Sequence, residues 1–325
     1  MLENKLDPSR RTVLAGIGGM AVAGLTGCAT TTSRGGTFFE RTGVPIGLQI
    51  YTLGPEAGED LDATFAEVAK IGYRDIEMPG LMGHSAAAIR SAAQRTGLSI
   101  SSVHVPLVDM QRGGGLTFAE EPAAIADTLG ELGAAWAVAP MGLIPSDFRP
   151  APGEDIGTAL SRAVAAGGAD LWHRTAEILN RQGAALKALG IRTGYHNHNL
   201  EFAPIGDTNG WEILKSETDH DLISFEIDLG WIATAGFDPV EFLADNSGRV
   251  ALVHVKDVAE GNTHGYALSM KPAEVGSGTL SWNRLLPAAH AAGARHFYVE
   301  QEPPFSIPRI EAARKSFDFL SKSGI

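Results

Sequence analysis

The side chains able to do chemistry in this chain of 325 residues stand as short polar endings to apolar runs. His196 and His198 close one run, Asp228 another, His254 with Lys256 a third, and Glu300 with Glu302 a fourth. Earlier runs end in Gln49 and Tyr51, in Glu77 and in His104. Any one of these alone reads as a satisfied polar group or a solvated strand end. As a set, His196, Asp228, His254 and Glu300 combine two imidazoles with two carboxylates, a donor mixture suited to Mn, Co, Fe(II), Zn or, less comfortably, Mg. His196 and His198 lie two apart, so on a strand both point the same way with Asn197 turned from them. One of the pair is then free to hold a metal and the other to act on a substrate.

For these groups to meet, their strands must be neighbours. Apolar, β-rich runs alternate with helical patterns along the chain, the sequence form of repeated βα units and a parallel sheet. The spacing predicts strands over 45–52, 73–78, 98–105, 135–141, 191–197, 222–228, 250–256 and 296–301, with helices over 61–71, 86–96, 170–189, 239–244 and 308–321. Eight units in one chain predict a single (β/α)8 TIM barrel over 45–325, with its site where strands end and βα loops begin. The alternative is a doubly wound open sheet, but no strand runs into a GxGxxG turn. Two stretches, 110–121 and 142–168, read as long loops on the site face, the usual place for lids and binding loops.

The N-terminus reads differently. Arg10 and Arg11 precede a glycine-broken apolar stretch ending in Leu25-Thr26-Gly27-Cys28. Ser9-Arg10-Arg11-Thr12-Val13-Leu14 resembles a twin-arginine export signal, with Val13 in place of the usual aromatic, and the Cys28 segment resembles a lipobox in which the cysteine is lipidated. This predicts a signal over 1–28, a flexible tether over 29–44, and an exported, periplasmic lipoprotein that touches the membrane only through its anchor. Cys28 is the sole cysteine, so no internal disulfide or CxxC metal site exists. With 26 Lys and Arg against 38 Asp and Glu the net charge is −12, and no basic run suits a nucleic-acid partner.

The barrel segment resembles, over nearly its whole length, the sugar phosphate isomerase/epimerase family with the xylose-isomerase-like TIM barrel. The residues that carry the resemblance are Gly47-Leu48-Gln49-Ile50-Tyr51-Thr52, Gly72-Tyr73-Arg74-Asp75-Ile76-Glu77, His104-Val105-Pro106, Tyr195-His196-Asn197-His198-Asn199-Leu200-Glu201-Phe202, Ile227-Asp228-Leu229-Gly230-Trp231, Val253-His254-Val255-Lys256-Asp257, Glu274-Val275-Gly276-Ser277-Gly278 and Val299-Glu300-Gln301-Glu302. In the best-understood members the fifth to eighth strands supply Glu, Asp, His and Glu to a divalent metal, and the two Glu act as acid and base. Asp228, His254 and Glu300 match. The fifth position holds His196, as in a subgroup with a Tyr-His-x-His motif that includes inosose-dehydratase-like members, so the carboxylate pair is incomplete.

The resemblance implies one divalent metal ion on His196, Asp228, His254 and Glu300, with Glu300, His198 and Lys256 as catalytic groups. It implies a sugar or sugar derivative in a pocket built from Gln49, Tyr51, Glu77, His104 and Trp231; many relatives have His where Trp231 stands. The loop 274–278 offers backbone N–H groups for a phosphate. The expected activity is a metal-dependent isomerase or epimerase that removes a proton next to a carbonyl and passes through a metal-bound enediolate. The same intermediate serves a lyase or dehydratase acting on a keto-sugar, keto-glycoside or keto-inositol. A non-catalytic sugar-binding lipoprotein is the alternative from outside enzymology.

Overall fold

The computed structural model describes residues 36–108, 115–146 and 148–322. The predicted export signal with Cys28, the tether over 29–35 and part of the 110–121 loop lie outside the described residues. Eight parallel strands close a barrel: β1 Gly47–Gln49, β2 Asp75–Met78, β3 Ser99–His104, β4 Trp136–Ala139, β5 Arg192–His196, β6 Ile223–Asp228, β7 Val250–Val255 and β8 His296–Val299. Each pairs with its sequence neighbours, and β1 closes on β8 with Gly47 beside Tyr298. Every strand falls inside its expected range. Around them run α1 Phe38–Thr42, α2 Leu61–Ile71, α3 Ala86–Thr96, α4 Pro122–Leu132, α5 Ile156–Ala188, α6 Gly210–Glu217, α7 Leu229–Ala235, α8 Pro239–Asp245, α9 Trp282–Ala292 and α10 Arg309–Lys322. Among the described residues no helix is long and apolar enough to cross a membrane.

Three expectations need correction. The tether reading ran to residue 44, but 38–42 form α1. A reciprocal capping box between Thr37 and Glu40 starts this helix, and Phe38 and Phe39 bury against Phe297 at the start of β8. The long loop after β4 is shorter than 142–168, because Asp155 caps a helix turn by accepting from Thr158 N at 3.0 Å, and Leu160, Ala163 and Val164 bury. The glycine pair that masked this helix sits at its kink, where Gly168 takes φ 57° and ψ −155°. The first strand is also shorter than 45–52, since Gln49 Oε1 accepts from Tyr51 N at 3.0 Å and turns Ile50–Leu53 into a 3₁₀ segment.

Period-two alternation stacks the barrel interior in levels. The lower one carries an apolar cluster of Trp136, Val138, Leu252 and Tyr298, beside the buried Asp75, which accepts from Ser101 Oγ at 2.6 Å. Gly47 belongs here because a Cβ on it would lie 2.6 Å from Tyr298 Cδ1. Two residues further along the strands the lining turns polar, with Glu226 on β6 and His254 on β7, joined by Glu77, His104 and His196. Two residues further again come Asp228, Lys256 and His198, and Glu300, two residues past Tyr298, meets them.

Candidate active site

Asp228 ends β6 and begins α7 at once. Its Oδ1 accepts from Trp231 N at 2.9 Å as the helix cap, and its own N–H donates to Asn197 Oδ1 at 3.0 Å. That second bond turns Asn197 out of the mouth, as the alternation of His196 and His198 requires. Asp228 Oδ2 is left facing Lys256 Nζ at 2.8 Å. The fully buried ammonium also lies 2.8 Å from Glu300 Oε2 and 3.2 Å from Glu302 Oε1, and 5.1 Å above the Trp231 ring. Gly230 clears the way for the lysine stem, since a Cβ there would lie 2.8 Å from Lys256 Cγ.

Charge and burial pull these groups in opposite directions. Burial raises the Asp228 carboxyl. Burial alone would also raise Glu300, but Lys256 and His254, whose Nδ1 lies 2.7 Å from Glu300 Oε2, outweigh it and hold the carboxylate low. Lys256 stays protonated against its burial because Asp228, Glu300 and Glu302 surround it. His198 is pushed down to about 3 by burial and by Lys256, so it is a neutral imidazole at pH 7.

Beneath this level Gln49 Nε2 donates to Glu77 Oε1 at 2.8 Å, and Ser102 Oγ donates to Glu77 Oε2. Glu77 Oε1 then lies 2.7 Å from His254 Nε2, which orients that ring with Nδ1 toward Glu300. A cavity of about 610 Å³ opens above, bordered by Tyr51, His104, His196, His198, Trp231 and Glu300, with Leu107, Met141, Ile144 and Leu268 as an apolar wall. Asp228, His254 and Lys256 lie just under its floor. Gln49 and Glu77, expected at the substrate, are corrected to supporting groups: both are fully buried, do not border the cavity, and spend their polar atoms on each other, on Ser102 and on the two imidazoles. The phosphate reading of the 274–278 loop also falls, because Gly276 N and Gly278 N donate to the buried Asp257 carboxylate at 2.9 and 3.2 Å.

Two acidic residues at the site were not anticipated. Glu226 faces His104, His196 and His254, and its place two residues before Asp228 on a strand was the available signal. Glu201 is buried in the turn after β5, where it accepts from Tyr195 Oη at 2.8 Å and from His198 N at 3.0 Å and so fixes the backbone that carries His198.

The donor atoms of His196, Asp228, His254 and Glu300 all lie within 4.8 Å of one another, and all four residues are buried. His196 Nδ1 lacks a well-formed hydrogen bond, and Asp228 Oδ2 meets only the Lys256 ammonium and, at 3.7 Å, His254 Nδ1. This nitrogen and oxygen set, with one orphaned nitrogen, fits a divalent cation. Lys256 answers to two of the same oxygens.

A closed (β/α)8 barrel whose strand ends gather imidazoles and carboxylates beneath an open cavity defines a class of barrel enzymes. The xylose isomerase-like TIM barrel family matches residues 65–323, and the chain belongs to it. The inosose dehydratase of Geobacillus kaustophilus is 26% identical over 199 residues, a match covering 61% of this chain and 62% of that enzyme. The chain thus spans less than two thirds of that relative's length. The inosose dehydratase of Clostridium perfringens is 33% identical over 87 residues, 27% of this chain and 29% of that one. Among solved structures, a sugar phosphate isomerase/epimerase from Parabacteroides distasonis superposes with a TM-score of 0.65 at 26% identity, over 87% of this chain and 95% of that one.

Proposed function

We propose that this chain removes a proton from a carbon next to a carbonyl in a sugar or sugar-like polyol, and completes an isomerisation or epimerisation. The observation that carries this reading is the meeting, at one cavity floor, of an ionised Glu300 and a neutral His198 above the buried Lys256. Glu300 is kept in the base form by Lys256 and His254 at every working pH. His198 has a ring nitrogen, Nδ1, without a hydrogen-bond partner, and a neutral imidazole both accepts and returns a proton. Lys256 offers fixed positive charge beside an oxygen that gains electron density. The Trp231 indole N–H is also unpartnered, and since Trp231 borders the cavity it would serve as a hydroxyl donor there. His196, Asp228, His254 and Glu300 would hold a divalent cation, which when bound supplies Lewis-acid polarisation of a carbonyl.

Elimination of water or of a β-substituent is the second reading. It is favoured by His196 standing where the isomerases of the family carry a second glutamate, and by the inosose dehydratases among the relatives. Deuterium incorporation from D2O, screened against keto-sugars, keto-glycosides and keto-inositols, tests both. Glu300→Gln is expected to abolish exchange at the carbon beside the carbonyl, and His198→Asn to suppress product more than exchange. Undiminished exchange in Glu300→Gln would move the base elsewhere, first to His198.

A further inference from the structure

TIM barrels usually fill the level below the mouth with branched apolar side chains. Here that level is a cage of donors. Glu226 Oε2 lies 3.0 Å from His104 Nε2, 3.2 Å from His196 Nδ1 and 3.3 Å from His254 Nε2, so imidazoles from β3, β5 and β7 face one carboxylate oxygen from β6. Glu77 Oε1 flanks them, 2.7 Å from His254 Nε2 and 3.1 Å from His104 Nε2. Around a tetrahedral ion with bonds of about 2.1 Å, ligand atoms stand about 3.4 Å apart, a spacing this cage approaches from below.

Two further observations point to a ligand. Glu226 Oε1 and His196 Nδ1 are buried without hydrogen-bond partners, although a finished network of polar side chains at this depth would leave neither. Both carboxylates are fully buried, and among the described residues their ion-pair partners are imidazoles alone, with no Lys or Arg at this level.

We propose that His104, His196, Glu226 and His254, with Glu77 alongside, form a second divalent-cation site, one level below the Asp228 and Glu300 group and sharing His196 and His254 with it. Three imidazoles and a carboxylate suit Zn or Co over Mg. The donor atoms of the four lie within 4.8 Å of one another. His254 joins the two levels, presenting Nε2 downward to Glu226 and Nδ1 upward to Glu300. His104 and His196 border the cavity, which gives an ion its way in.

The test is cobalt binding by the full chain, with Asp228→Asn used to disable the upper group. Metal-free Asp228→Asn protein is expected to take up one Co(II) with the intense visible absorption of a four-coordinate, nitrogen-rich ion. Adding His104→Gln or Glu226→Gln should weaken that binding by more than about 100-fold, since loss of a direct ligand exceeds the loss of an outer partner. Glu226→Gln keeps side-chain size and gives the answer if His104→Gln does not fold. The proposal fails if Asp228→Asn protein binds no cobalt, or if both added substitutions leave affinity and spectrum unchanged. Either result would make the cage a hydrogen-bonded histidine and carboxylate cluster and leave the upper group's metal untouched.

Discussion

Glu201→Gln isolates a carboxyl group buried beside His198 with no cation paired to it among the described residues. Burial pushes this carboxyl up to about 7 from its ordinary 4.5. Between these values the folded chain holds a proton that the unfolded chain has released. Its contribution to stability is therefore fully present below pH 4.5 and is lost as pH rises through about 7. At about 1.4 kcal/mol per pH unit, the gap is worth about 3 kcal/mol. Glutamine keeps the shape and removes the titration. One of its two terminal atoms becomes a donor, so it cannot accept from both Tyr195 Oη and His198 N, and the unpaired buried group costs about 1–3 kcal/mol. Urea unfolding of both proteins across about pH 5 to 8 reads the effect. The stability of the parent minus that of the variant is expected to fall by about 1.4 kcal/mol per pH unit up to about pH 7 and then level off. A difference that stays constant with pH would refute the argument.

Two other expectations can be checked separately. In metal-free protein Lys256→Met strips the charge from among three carboxylates and should cost about 3–5 kcal/mol; a divalent cation should then raise its Tm more than it raises the parent's, and an equal rise would show that ammonium and cation do not answer to the same oxygens. For the proposed export signal, Cys28→Ala should move the protein from the membrane to the soluble fraction and Lys at both Arg10 and Arg11 should block export, whereas parent-like fractionation of both variants would remove that reading.

The eight strands are plain in the sequence because parallel barrel strands are buried on both faces, and runs such as 136–139 and 250–255 are apolar enough to stand out. The upper donor group is equally legible, since His196, Asp228, His254 and Glu300 fall at or next to strand ends. Glu226 is hidden by its apolar neighbours Phe225 and Ile227, and only strict alternation exposes it as an inward-facing carboxylate. Gln49 and Glu77 show the reverse failure: residue type and strand position suit substrate contact, but whether a polar atom is already spent on a neighbour depends on pairing across the barrel. The start of α5 was lost because Gly167 and Gly168 are helix breakers in any local reading, while the buried face of the preceding turns depends on the cavity wall it packs against.

The apolar level of Trp136, Val138, Leu252 and Tyr298 blocks the barrel from below, and α1 covers the same end with Phe38 and Phe39. Among the described residues, entry to the floor would therefore be through the cavity at the mouth. Any cation seated on the floor must arrive before the molecule that fills the cavity and leave after it. A bound product shuts that entry to both chelator and fresh substrate. Product inhibition should then be competitive with substrate, and saturating product should slow stripping of metal by a chelator.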